Sequence, residues 1–252
     1  MELLVCVKQV PDDSVSVKLG ADGQPDLKDI TPVVNAFDTY ALEMATRFKE
    51  ANGGTVSVVT VGDLETVTPS LRSCLSVGAD SAYDVNETEG CVNGLIAAAA
   101  QKAGSFDVIF VGSESTDKAS MEVGARVSNK LGLPLVTNIL ALEPADGGLK
   151  IKQETEDGYR TILCPTPCVV TVVKPDYEPR YPSIKSKLAA RKMPIGEFKA
   201  ADLGVEACGT HKVETVKISA PAKRQAGIKI IEKEKEVAVA RAMDMLAERK
   251  LV

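Results

Sequence analysis

The residues best suited to chemistry lie in the run Gly112 to Val123, GSESTDKASMEV, between an apolar stretch (VIFV) and the start of a helical pattern. Backbone N–H groups at such a strand-to-helix junction attract phosphate, and Ser113, Ser115, Thr116 and Ser120 add hydroxyl donors. An ordinary capped loop fits the same residues equally well. Other chemistries have less to work with. The single histidine, His211, sits in a polar stretch after an apparent linker, so a Ser-His-Asp or Cys-His unit has only that residue to draw on. Cys164 and Cys168 lack the further ligands that a zinc site requires. Neither G-x-G-x-x-G after a strand nor G-x-x-x-x-G-K-[ST] is present, and the first loop, Lys8 to Asp12, lacks the Ser-Gly-Gly of adenine-nucleotide ligases.

The elements that must position that loop follow a repeating pattern. Leu3 to Val7 reads as a strand covered on both faces. Pro11 to Pro32 is polar and turn-rich, a long loop with room for a small hairpin. Ala41, Ala45 and Phe48 recur at helical spacing, with Asp38 placed to cap the first turn and Gly53-Gly54 to end the helix. The unit then recurs: strand 55–61, helix 68–77 with Pro69 in its first turn, strand 81–85, helix 91–102, strand 108–111, a helix marked by Val123, Val127 and Leu131, and strand 135–140. Strands alternating with helices predict an open, mostly parallel sheet covered on both faces. From Leu140 the pattern turns to strands and tight turns at Asp146-Gly147-Gly148 and Asp157-Gly158, which predicts antiparallel additions. An edge strand over 212–219 and a helix over 237–246 close the chain. Ligands bind such sheets beyond the carboxyl ends of the strands, here at 8–12, 62–63 and 112–123.

The totals bound the class. A chain of 252 residues with 44% hydrophobic side chains fills a real core, and 4% aromatics on a net charge of −5 argue against nucleic acid as the main partner. No apolar run reaches the length of a membrane span and the opening MELLVCVKQV has no cleavage-site pattern, so the expected compartment is the cytoplasm. Six scattered cysteines in such a chain are expected to be reduced and mostly buried. One stretch breaks the acidic trend: Lys174 to Ile195 carries Lys174, Arg180, Lys185, Lys187, Arg191 and Lys192 against Asp176 and Glu178, and opens with Pro175, Pro179 and Pro182. Charge alone reads it as a solvated loop leading into a short helix.

Five segments in register carry a resemblance: LLVCVKQVPD, NAFDTYALEMATRFKE, the VGAD turn, GSESTDKASMEVGARVSNKLGLP and EPRYPSIKSKLAARKMPI. Together they resemble the β subunit of electron-transfer flavoprotein, in order from Met1 to about Leu203 and more weakly through PAKRQAGIKI. The resemblance implies a Rossmann-like fold of the adenine-nucleotide α-hydrolase type, residues 1–205, with a C-terminal arm, 206–252, that contacts an α subunit in an obligate heterodimer. It implies FAD mainly on the α subunit and AMP or a second FAD in this one, held by Cys6, Asn35, Ala36, Phe37, Asp38, Val61, Gly112, Ser113, Glu114, Ser115, Thr116, Asp117, Lys118, Ala119, Ser120, Met121, Glu122 and Val123. Residues 174–195 look like the recognition loop that docks an acyl-CoA dehydrogenase or related flavoenzyme, with Arg180, Tyr181, Pro182 and Ser183 around Ile184 as apolar anchor. Glu154 stands where a family glutamate contacts the mobile flavin domain of α. The complex so implied carries electrons and is not itself an enzyme. Where many members have glutamine, this chain has Glu114 and Glu122; two carboxylates repel a diphosphate unless they turn outward or meet a cation. That argues against a standard electron-bifurcating FAD site and leaves AMP or a reshaped FAD site open. A stand-alone regulator of the universal stress protein type shares the α/β core, but its glycine-spaced phosphate loop is missing here.

Overall fold

The computed structural model describes residues 1–87, 92–205, 215–220, 222 and 226–252. They form two compact units, Met1–Val17 with Asp26–Glu214, and Lys18–Pro25 with Thr215–Val252. In chain order the first strands are β1 (Glu2–Cys6), β2 (Gln9–Pro11), β3 (Lys18–Leu19), β4 (Pro25–Asp26) and β5 (Pro32–Val34). Next come α1 (Ala36–Asn52), β6 (Thr55–Gly62), α2 (Leu64–Ser76), β7 (Ser81–Asn86), α3 (Val92–Ala103), β8 (Val108–Gly112) and α4 (Val123–Leu131). The chain continues through β9 (Leu135–Ala145), β10 (Gly148–Thr155), β11 (Gly158–Cys164), β12 (Cys168–Val172), α5 (Ile184–Ala190), β13 (Ile195–Lys199), a 3-10 turn (Ala200–Leu203) and α6 (Lys235–Glu248).

The first unit is built on a nine-stranded sheet in the order β11-β10-β9-β12-β8-β1-β6-β7-β13. All neighbours from β9 to β13 pair in parallel, and β10 and β11 add the antiparallel edge that the tight turns predict. Strand β1 lies inside the sheet, so its alternating side chains feed two cores. Leu3 and Val5 pack with α1 and α2 residues such as Ala41, Phe48 and Leu71, while Leu4 and Cys6 pack with Leu95 and Ile96 of α3 and Val127 of α4. This is an α/β Rossmann-like fold. The loop after β1 does contain the small hairpin, β3 with β4, and β2 pairs with β5. The four described cysteines, Cys6, Cys74, Cys164 and Cys168, are free and buried.

Several elements differ from the sequence expectation. Helix α2 begins five residues ahead of Pro69 because Asp63 caps it, accepting from the Thr66 backbone N–H at 3.0 Å; Pro69 therefore sits inside the helix. Asp38 is not a cap: α1 starts after Asn35, and the Asp38 side chain is buried elsewhere. Strand β13 extends the sheet where only a basic stretch and linker are expected; Gly196 lets it approach, since a Cβ there would lie 2.7 Å from the Tyr83 ring. Tyr83 and Phe198 stack at 5.5 Å across that pair. Residues 215–219 form no strand, and Val216 is exposed. Residues 212–214, Cys91, Cys208 and His211 lie outside the described residues. The second unit holds β3 and most of the hairpin together with α6, none of whose residues is buried. Among the described residues no helix is long and apolar enough to cross a membrane.

Candidate functional site

A cavity of about 280 Å³ opens where β1, β6 and β8 end. Parallel strands all deliver their carboxyl ends to one edge, and the loops leaving that edge make the walls. The cavity is lined by Cys6, Asn35, Asp38, Val61, Gly112, Ser113, Glu114, Ser115, Lys118, Ser120, Met121, Glu122 and Val123. The predicted set therefore converges on one place. Ala36, Phe37, Thr116, Asp117 and Ala119 flank it without lining it.

The walls are held by buried polar groups. Asp38 accepts the Lys8 backbone N–H at 2.8 Å and the Gly112 backbone N–H at 3.1 Å, so one carboxylate ties the ends of β1 and β8 together. Burial pushes its carboxyl up to about 7, against the hydrogen bonds that favour its charged form. The same burial, with Asp38 close by, pushes the Cys6 thiol far up, so Cys6 is an apolar wall and not a nucleophile. Asn35 donates from Nδ2 to the Glu114 carbonyl at 2.8 Å and accepts the Thr116 N–H at Oδ1 at 3.0 Å, which sets the course of the loop after β8. Gly112 must be glycine for space: a Cβ would fall 2.4 Å from Asp38 Oδ1 and 2.8 Å from Phe37 Cβ. Ala119 and Met121 hold left-handed backbone angles, φ 49° and 54°, an arrangement that costs energy and recurs at functional loops.

The charges at the mouth divide into spent and free. Lys8 Nζ reaches Asp117 at 2.6 Å; burial raises the Asp117 carboxyl, but Lys8 and the Ser115 hydroxyl together outweigh it and hold it below the usual range. Glu122 turns along α4 to pair with Arg126 at 2.6 Å, so this carboxylate does meet a cation. Glu114 remains half-buried on the cavity wall. Lys118 lines the cavity and has no ion-pair partner among the described residues. Asn93 Oδ1, on α3 and lining the cavity, is buried without a hydrogen-bond partner among the described residues, an acceptor suited to a ligand donor. These features fit an adenine nucleotide: an apolar floor, one free ammonium, hydroxyls and the start of α4.

Lys8, Asn93 and Ile96 were not among the predicted ligands. Lys8 follows directly on β1 and so carried a signal as the first residue beyond a strand end; Asn93 and Ile96 carried none, because only the packing of α3 brings them here. Among the described residues no group of His, Cys, Asp or Glu is placed to hold a metal ion.

The predicted partner residues lie elsewhere. Residues 174–183 run without regular structure into α5, whose first turn Ser183 caps by accepting from the Ser186 N–H at 3.1 Å. Tyr181 and Ile184 are 94% and 82% exposed, and Pro182 and Ser183 lie between them. Arg180 turns inward, 2.8 Å from Glu43 and 2.5 Å from Glu50. Glu154 is exposed on β10.

The family model of the electron transfer flavoprotein domain matches residues 29–203. The electron transfer flavoprotein subunit beta of Bradyrhizobium diazoefficiens is 33% identical over 91% of this chain and 93% of its own length. The caffeyl-CoA reductase-Etf complex subunit CarD of Acetobacterium woodii is 32% identical, covering 85% of each chain. The acryloyl-CoA reductase electron transfer subunit gamma of Anaerotignum propionicum is 29% identical over 77% of this chain and 76% of its own.

Proposed function

This chain belongs to the electron transfer flavoprotein β-subunit family, and from that premise we propose that it is the nucleotide-holding, partner-presenting half of a heterodimeric electron carrier. The observation that carries the reading is the cavity at the sheet's carboxyl edge. At about 280 Å³ it lies just below the usual range for small-molecule pockets, roughly 300–1,000 Å³, which favours the smaller of the two nucleotides. AMP is therefore the nucleotide proposed. Cys6, Val61 and Val123 would cover its base and ribose, and Lys118 with Ser113, Ser115, Ser120 and the start of α4 would hold its phosphate. Asn35, Ala36, Phe37 and Asp38 shape the cavity from behind, and Asp117 holds Lys8 aside.

FAD, bound mainly on the α subunit, supplies the redox chemistry; this chain orients and presents. Exposed Glu154 would contact the flavin domain of α. In the second unit, the apolar residues Val237, Val239 and Met243 of α6 stand exposed, as expected of an arm that covers a partner subunit. Tyr181, Ile184 and Leu188 form an exposed apolar patch, and Lys185, Lys187, Arg191 and Lys192 have no ion-pair partner among the described residues. An apolar anchor ringed by free cations suits a flavoenzyme of the acyl-CoA dehydrogenase type with an acidic docking face. The relatives support this reading and give none to a stand-alone nucleotide-binding regulator.

The test is to purify the chain with its α subunit and count ligands. One flavin and one AMP per heterodimer are expected, the stoichiometry of a simple carrier. Two flavins would overturn AMP in this cavity and point to bifurcation with NADH; no flavin and no stable α partner would overturn the carrier itself.

A further inference from the structure

The docking segment shows how it is held. Arg180 lies in the middle of the basic stretch, yet its guanidinium is turned onto α1. Its Nε lies 2.8 Å from Glu43 Oε2, and Nη1 and Nη2 grip the two oxygens of Glu50 at 2.5 and 2.8 Å. The Arg180 backbone N–H also donates to Glu43, at 3.2 Å. Glu43 is only 2% exposed at its side chain and takes a further bond from Arg47 Nε at 2.6 Å, while the Arg47 guanidinium covers the Tyr177 ring at 4.0 Å. A bidentate guanidinium–carboxylate pair fixes direction as well as distance. At the other end of the segment, Arg72 of α2 donates from Nη1 to the Ala190 carbonyl at 2.7 Å and to the Met193 carbonyl, where α5 has run out of internal donors.

Between these two points the segment is thinly packed. A cavity of about 280 Å³ lies beneath Pro179–Pro182, floored by Leu42, Cys74 and Val77. Residues 179–182 bridge this space instead of filling it, so apolar contact contributes little to their position. What remains at the near end is the charge network, while at the far end the carbonyl grip adds to the burial of Ala190 and the packing of Met193 against the core.

We propose that Arg180 and Arg72 are positioning residues, a two-point clamp that fixes residues 174–193 on α1 and α2 so that Tyr181, Ile184 and Leu188 meet the partner flavoenzyme in one geometry. The proposal rests on the reading of this segment as the docking surface. A segment already ordered does not lose that freedom on association, so the clamp acts on the strength of docking and not on electron transfer within the docked complex.

The experiment uses the heterodimer with an acyl-CoA dehydrogenase from the same cell as electron donor. Arg180→Lys keeps the charge but loses the fork; Glu50→Gln weakens the same grip at an exposed residue without stranding the buried Glu43. Each is expected to raise KM for the dehydrogenase three- to tenfold, with kcat and flavin content unchanged and faster amide hydrogen exchange over 175–183. Arg72→Gln is expected to do the same with exchange rising over 184–193. Ile184→Ala, expected to raise KM at least tenfold with no change in exchange, separates the two readings. If Ile184→Ala raises KM and the clamp variants do not, the clamp is overturned and the docking reading stands. If kcat and flavin content fall as KM rises in the clamp variants, their role is general stability and the proposal fails. If Ile184→Ala leaves KM unchanged, the docking reading falls and takes the clamp's function with it.

Discussion

The cavity at the carboxyl edge of the sheet, proposed to hold a nucleotide, and segment 174–193, proposed to dock a partner, are built on opposite principles. The cavity is made of backbone: the ends of β1 and β8 converge on the Asp38 carboxylate, and Gly112 brings main chain where no side chain fits. The docking segment has no sheet beneath it and is located by side-chain charge, Arg180 on Glu43 and Glu50. A backbone site fails when an atom is added, whereas a charge-held segment fails when a charge is removed. The first is rigid by exclusion of volume; the second is adjustable by electrostatics.

The largest effect that would break this contrast is at Gly112. Gly112→Val places a branched side chain where even a Cβ would strike Asp38 and Phe37. Overpacking of this kind costs about 1–3 kcal/mol, and here it also closes the cavity. The variant heterodimer is expected to lose its AMP completely and to melt several degrees lower, while KM for the dehydrogenase at a temperature where it is folded stays within twofold. A fall in docking equal to the loss of nucleotide would show that the two regions are not separate.

The second test uses pH, because the two regions have opposite signs. Burial raises Asp38 to about 7, well above its ordinary value near 3.9. The native state therefore binds more protons than the unfolded state between about pH 4 and 7, and stability falls as pH rises through that window. Asp84 on β7 behaves likewise: it is 0% exposed, both oxygens lack a partner among the described residues, and burial, then Glu197 and Asp63, push it up to about 7. Glu43 runs the other way. Burial raises it, but Arg180 and Arg47 outweigh burial and hold it below the usual range; Glu50 is lowered chiefly by Arg180. Their contribution is complete above about pH 4.3 and is lost as pH falls below it. The urea midpoint of the heterodimer is expected to fall steadily from pH 4 to 7, and Asp84→Asn should remove roughly half of that slope. Amide protection over 175–183 should instead be flat above pH 5 and collapse below about 4. A common slope in both measurements would refute the contrast.

These regions were unequally legible in the sequence. The sheet was: apolar strands alternating with helical periods fix β1, β6, β8 and their helices, and Gly-containing turns fix the antiparallel edge. The cavity loop was legible as a strand-to-helix junction rich in hydroxyls, but its depth was not, since Asn93 and Ile96 reach it only through the packing of α3. Strand β13 was hidden because a short strand with a glycine, at the end of a basic stretch, has no period of its own until it lies beside β7. Arg180 is the clearest case. It counts toward a basic excess in the sequence, while its partners Glu43 and Glu50 lie 137 and 130 residues away. No local pattern says that its charge is already spent.

The smallest expected effect separates the two glutamates of the cavity loop. Both stand where a phosphate-binding loop would be better served by neutral residues, but their surroundings differ. Glu122 is exposed and paired with Arg126 at 2.6 Å, one turn along α4. Its field at the cavity is largely cancelled, and an exposed i,i+4 pair is worth only about 0.3–0.5 kcal/mol. Glu122→Gln should therefore change AMP affinity less than twofold, because both members of the pair are exposed and water screens what the substitution uncovers. Glu114 is half-buried on the cavity wall and meets no cation in an ion pair among the described residues. Removing its charge relieves repulsion of a phosphate through a medium less screening than water, on the order of 1 kcal/mol, so Glu114→Gln should tighten AMP about three- to fivefold in calorimetric titration of the nucleotide-stripped heterodimer. The ratio of the two changes is the measurement that matters. If Glu122→Gln tightens AMP as much as Glu114→Gln, Arg126 does not shield the loop, and the phosphate lies nearer the start of α4 than the free ammonium of Lys118.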